Sequence, residues 1–243
     1  MLMLFCVASG LSCGKNEQKI DNLTDTLPSR KNRPVKLDPH ATFDGIDISA
    51  HQGIIDWDSL DNFNPNIVFI YVRAIGKKDV DSLYRDNLMN ARQHGFMVGS
   101  YHFFNMAVTV DEQFECFKEM VKKEYQDLRP MLDIEKQSLS PDGNTHLRDS
   151  VLKMARLMEK HYGCKPVIYS NQNFYNKYLA STFSRYPLWI ANYSRQPVIT
   201  RGKTILWQRS CTTVVPGISK AIDTDKLING ATLKSLMYKP TFP

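Results

Sequence analysis

Eight short apolar runs bounded by turn residues, amphipathic stretches between the earlier of them, and a length of 243 residues together predict an α/β fold. The expected architecture is a single modified β/α barrel of the TIM type, with some crossover helices short or missing. Parallel strands buried on both faces read as near-continuous apolar runs, and one barrel needs about 200 residues or more, so no second domain is required. Strands are expected at 43–48, 67–74, 97–103, 130–134, 166–169, 187–191, 204–207 and around 221–222. Helices are expected at 82–94, 110–125 and 146–162; in the last, Leu147, Val151, Met154, Leu157 and Met158 recur at helical spacing. No helical pattern separates the late strands, hence the short or missing crossovers.

The first 41 residues read differently. Residues 1–12 are almost wholly apolar and small, too few for a membrane span of about 20 residues, and polar residues follow at once, as in an export signal. Cys13 after Leu11-Ser12 stands where a bacterial lipoprotein carries its acylated cysteine, although Gly10 occupies a place usually held by Leu and no Lys or Arg precedes the run. Residues 14–41 are rich in Lys, Asn, Asp, Thr, Ser and Pro, which suits a flexible tether. The expected division is a signal at 1–13, a tether at 14–41 and a barrel at 42–238. The protein is then exported, either held to a membrane only through a lipid on Cys13 or secreted.

Charge and cysteines exclude more than they select. Thirty-one Lys and Arg against 25 Asp and Glu leave a net charge of +6, interleaved along the chain, so a nucleic-acid partner is not expected. An anionic polymer such as a cell wall suits the charge as well as nucleic acid does, and a plain solvated surface accounts for it best. The five cysteines match no zinc spacing, and their odd number argues against a complete disulfide framework. His51 and His102 belong to no cluster with ligand spacing, so neither metal nor cofactor is expected. Ser49, Ser100 and Ser170 lack the glycine pattern of a nucleophile elbow, which disfavours a serine hydrolase.

The run Pro130-Met131-Leu132-Asp133-Ile134-Glu135 ends in two carboxylates one residue apart. On a strand, residues two apart share a face, at about 6 to 7 Å between backbones. Neighbouring sheltered carboxylates cannot ionise independently, and at least one has a raised pKa, as proton donation to a glycosidic oxygen requires. The competing reading is a polar pair capping the next turn. Barrel chemistry sits at the C-terminal ends of strands, and Asp47, the Asp133/Glu135 pair and Asp223 all fall at such ends in the expected layout. Tyr101, Tyr169, Trp189, Tyr193 and Trp207 are expected at the same rim, either packing on sugar rings or filling the core.

Taken in order, these segments resemble the family 25 glycoside hydrolases, the lysozymes of the Chalaropsis type. The likeness runs through Gly45-Ile46-Asp47-Ile48-Ser49 with His51-Gln52-Gly53, Gly99-Ser100-Tyr101-His102-Phe103-Phe104, and Leu132-Asp133-Ile134-Glu135. It continues through Ile168-Tyr169-Ser170, Pro187-Leu188-Trp189-Ile190-Ala191, Leu206-Trp207-Gln208, and Val215-Pro216-Gly217-Ile218 to Ile222-Asp223. The resemblance implies an N-acetylmuramidase that cuts the β-1,4 bond between N-acetylmuramic acid and N-acetylglucosamine in peptidoglycan, with retention and without a cofactor. It places the catalytic acid on Glu135, its partner on Asp133, and two further site aspartates on Asp47 and Asp223; Gln208 joins the tyrosines and tryptophans as a substrate contact. One departure stands out: where the family commonly reads Lys-Ala-Thr-Glu-Gly, this chain has Arg73-Ala74-Ile75-Gly76-Lys77. A monomer acting on glycan strands is expected. The rival readings are a non-catalytic carbohydrate-binding protein on the same scaffold and a hydrolase of another acetamido-sugar polymer such as chitin.

Overall fold

Eight strands close into one barrel in chain order in the computed structural model, which describes residues 30–33, 37–76, 79–136 and 146–238. They are β1 (Gly45–Ile48), β2 (Phe69–Ile75), β3 (Met97–Phe103), β4 (Met131–Asp133), β5 (Val167–Asn171), β6 (Leu188–Ala191), β7 (Thr204–Thr213) and β8 (Ile222–Leu227). Neighbours from β1 to β7 pair in parallel, but β8 runs antiparallel to both β7 and β1. The barrel expectation holds, with the last strand reversed: β7 and β8 form a hairpin instead of a βαβ unit. Asp223 therefore lies near the start of its strand, and the reversal is what brings that start to the same rim as the ends of the others.

Alternation along the strands divides the apolar residues between two layers. Ile46, Ile70, Val72, Val98, Leu132, Ile168 and Ile190 point outward and pack under the helices. Phe69, Tyr71, Tyr101, Met131, Tyr169 and Trp189 fill the interior. So many rings fit because small residues face them: a Cβ on Gly99 would stand 2.5 Å from the Tyr71 ring.

The outer helices are α1 (Trp57–Phe63), α2 (Tyr84–Gln93), α3 (Val110–Met120) and α4 (Leu147–Tyr162). Asp56 caps α1 by accepting from Ser59 N, and Thr109 and Glu112 form a capping box at the start of α3, each such cap being worth about 0.5–2 kcal/mol. After β5 the chain runs through α5 (Gln172–Phe174), a π-helical turn (Tyr175–Leu179) and α6 (Ala180–Phe183). No helix intervenes between β6 and β7, and a short α7 (Leu233–Leu236) follows β8.

The expected signal, Cys13 and residues 14–29 and 34–36 of the expected tether lie outside the described residues. The described remainder of that stretch is seated on the barrel. Arg30 pairs with Asp127 at 2.8 Å, and Lys31 and Arg33 both pair with Asp61. The Arg33 guanidinium also lies over the Phe96 ring, 4.2 Å from its centroid. Gly95, at φ 83°, lets this segment approach, since a Cβ there would meet Arg33 Cβ at 2.6 Å. No helix among the described residues is long and apolar enough to cross a membrane.

Candidate active site

Register brings the four expected acids to one mouth. Asp47 pairs across the β1–β8 ladder with Asp223, so the two side chains share a face. Asp133, the last residue of β4, lies beside Phe103 of β3 and Tyr169 of β5. Glu135 follows two residues on. All four line a cavity of about 240 Å³, with Tyr101, Tyr169, Tyr193 and Gln208 in its wall.

Burial and mutual repulsion decide the charge state. Desolvation, then the neighbouring Asp223, pushes the Asp47 carboxyl well above the usual carboxylate range; Gln208 and Arg73 pull the other way without cancelling this. Asp133 is likewise raised, by desolvation first and then by Glu135 and Asp47. Asp223 is pushed up to about 6 by desolvation and Glu135. At neutral pH the mouth thus carries fewer negative charges than carboxylates. Arg73 is the only Lys or Arg among the described residues lining this cavity. It is held by buried Asp81, with Nε and an Nη each 2.8 Å from Oδ2. Asp81 also accepts from the backbone N–H groups of Ala50 and Leu83.

A second network fixes Asp47. Gln208 Nε2 donates to Asp47 Oδ2 at 2.8 Å, while Gln208 Oε1 accepts from the hydroxyls of Tyr169 and Tyr193 at 2.7 and 2.9 Å. Gln208 is buried, and its amide is occupied by these partners. Both tyrosine hydroxyls stay protonated, their pKa values raised mainly by burial. Asp133 Oδ1, by contrast, is buried with no hydrogen-bond partner among the described residues.

Two of the expected aromatic contacts are corrected. Trp189 is fully buried in the barrel interior, 5.4 Å from Tyr169 between ring centroids, and donates its indole N–H to Asp225. Trp207 sits on the strand position next to Gln208 and so faces out of the barrel, where Nε1 donates to Asn192 O and Arg209 stacks on the ring. His102, also outward-facing, is buried with Nε2 at 2.8 Å from Gln113 Oε1, and burial drops its pKa to about 4. Among the described residues no three His, Cys, Asp or Glu side chains are grouped to hold a metal ion.

Sequence reading missed Asp81 and Asp225. Asp225 had a usable signal, because Asp223-Thr224-Asp225 repeats the two-residue spacing of Asp133 and Glu135. Its side chain lies one inward-facing position deeper, fully buried, with Oδ1 on Trp189 and Oδ2 unpartnered. Ser49 and Gln52 also acquire a role: they form a capping box on the turn Ala50–Gln52, which carries His51 at the cavity wall.

The family model for glycosyl hydrolases family 25 matches residues 46–218, nearly the whole barrel. The chain belongs to glycosyl hydrolase family 25. It is an enzyme, a glycoside hydrolase. Among similar sequences, the uncharacterized protein YegX of Escherichia coli K12 is 32% identical over 212 residues, covering 83% of this chain and 77% of that protein. An autolytic lysozyme of Clostridium acetobutylicum is 28% identical over 189 residues, covering 76% of this chain and 56% of its own length. The solved structure of a family 25 glycosyl hydrolase from Bacillus anthracis aligns with a TM-score of 0.69 at 26% identity, over 88% of this chain and 97% of that one. The family 25 match ends at residue 218, short of Asp223, which the β1–β8 register sets across from Asp47.

Proposed function

We propose that this family 25 hydrolase is a peptidoglycan lysozyme, an N-acetylmuramidase that cleaves β-1,4 bonds with retention, using Glu135 as acid and base. The observation that carries the reading is the buried, unpartnered Oδ1 of Asp133 beside Glu135 at the mouth. A buried acceptor without a donor is costly, and the N–H of a bound 2-acetamido group supplies the missing donor. Such a bond stabilises ionised Asp133 and draws its raised pKa down when substrate is present.

The steps follow from that placement. Glu135 gives its proton to the glycosidic oxygen as the C1–O bond breaks. The acetamido oxygen, its N–H held by Asp133, bonds to C1 from the opposite face. Glu135 then takes a proton from water as that water opens the ring intermediate, restoring both carboxyls and the starting configuration. Asp223, ionised at neutral pH, places negative potential beside the developing positive charge, and Asp47, pinned by Gln208, lines the same mouth. A substrate of this kind lies outside the cytoplasmic membrane, which puts the site of action there.

A turbidity assay on purified peptidoglycan, run beside one on chitin, tests the reading. The wild type is expected to clear peptidoglycan, and Glu135→Gln to lose about 10² to 10⁴ in rate while staying folded. Clearance of chitin alone would assign the enzyme to another acetamido polymer. Binding without clearance would make it a carbohydrate-binding protein. Inversion at C1, read by NMR of the first product, would remove the acetamido mechanism.

A further inference from the structure

Beside the catalytic mouth lies a second cavity of about 500 Å³, sharing Glu135, Tyr169 and Tyr193 with it. Its remaining wall differs in chemistry. Lys136 and Lys177 both line it, and Glu135 is the only acidic residue among the described residues of its wall. Neither lysine has an ion-pair partner among the described residues. Phe174 and Tyr178 pack at 4.7 Å between centroids to form an aromatic side, and the Lys177 ammonium lies 4.9 Å from the Tyr178 ring. The π-helical turn Tyr175–Leu179 carries both Lys177 and Tyr178; such turns cost helix regularity and recur at functional sites.

A neutral sugar offers hydroxyls that need donors and acceptors in balance. Ammonium groups only donate. Two of them around a partly enclosed space favour an anion. We propose that this cavity is a carboxylate-recognition subsite for the acidic arm on O3 of the muramic acid residue. Lys136 and Lys177 meet the carboxylate, and the Phe174–Tyr178 pair packs on the arm's apolar atoms. The inference rests on the proposed lysozyme activity and adds a specificity to it: muramic acid is told from N-acetylglucosamine by its charge, at a site beside the reacting bond. The same carboxylate chemistry has two sources, the free lactyl group of a peptide-stripped glycan or the acidic residues of an attached stem peptide.

Three soluble oligosaccharides distinguish the sources: peptide-bearing glycan, amidase-stripped glycan with free lactyl carboxylates, and the stripped glycan with those carboxylates amidated. Wild type is expected to prefer the stripped over the amidated form by about tenfold in kcat/KM, carried by KM, the scale of one charge-assisted hydrogen bond. The double variant Lys136→Gln/Lys177→Gln should lose that preference with kcat retained, and Lys177→Arg should keep it. If the double variant is impaired only on peptide-bearing glycan, and wild type does not separate the other two, the stem carboxylate is the ligand. Equal use of all three glycans by wild type, or a preference that survives in the double variant, overturns the subsite. Calorimetric binding of the same oligosaccharides reads the cavity without turnover. Discrimination in binding with no hydrolysis overturns the lysozyme reading alone, and hydrolysis with no discrimination overturns the subsite alone.

Discussion

The two ends of the barrel treat the same residue type in opposite ways. On the underside, Asp44 lies 2.8 Å from Lys226 and accepts from Leu227 N, Asp61 pairs with Lys31 and Arg33, and Asp127 pairs with Arg30 and Arg92. At the mouth, Asp47, Asp133 and Asp223 face one another and Glu135, opposed among the described residues by one guanidinium, already held by Asp81. Paired carboxylates hold the lower strand ends and the segment 30–33 together. Carboxylates that repel one another work against folding, and a fold retains such a conflict where chemistry uses it.

Breaking a pair on the underside gives the largest expected effect on stability. Lys226→Met leaves Asp44 buried without its cation and should cost about 3–5 kcal/mol in denaturant unfolding. A loss below about 1 kcal/mol would mean that Asp44 finds another partner and that the underside is less tightly paired than its geometry indicates.

The mouth should respond with the opposite sign. Asp223 has a folded pKa of about 6 against an ordinary value of 3.8, so folding opposes its ionisation. Its destabilising contribution is absent below about pH 4, grows as pH rises through 6, and is complete above that. Asp223→Asn should therefore gain about 1–2 kcal/mol at pH 7, roughly 2 to 8 °C in Tm for a chain of this size, with the gain vanishing near pH 4. A gain independent of pH would assign the effect to packing.

Arg73 sharpens the contrast within the mouth. It lowers the pKa of both Asp47 and Asp133. Without it both carboxyls rise further, and the acidic limb of the activity profile should move up by about one pH unit in Arg73→Gln. Arg73→Lys, which keeps the charge, should move it far less.

Much of this was legible in the sequence for a definite reason. Burial with a period of two sorts each strand residue to one face, and that placed Asp47, Asp133 and Asp223 inward. The same alternation is unchanged when a strand is reversed, so it could not reveal that β8 runs antiparallel. Nor does it give depth: Trp189 and Asp225 face inward like the site residues but lie a layer too deep to meet a sugar. Trp207 was misjudged by treating every strand-end aromatic as rim, although its neighbour Gln208 already claimed the inward position. The seating of residues 30–33 was hidden because a polar composition describes a tether and an ion-paired surface segment equally well. The helical stretch 172–183 escaped because its π-helical turn breaks the 3.6-residue period.

The most direct test compares Asp133→Asn with Asp44→Asn, measuring unfolding free energy and lytic activity at pH 7 for both. Asp133→Asn should be at least as stable as the wild type and lose most of its activity, because it removes an unpaired, repelled carboxylate that substrate needs. Asp44→Asn should be destabilised by about 3 kcal/mol and remain active while folded. If both variants lose stability alike, or if Asp133→Asn stays fully active, the mouth carboxylates are ordinary structural acids and the account is wrong.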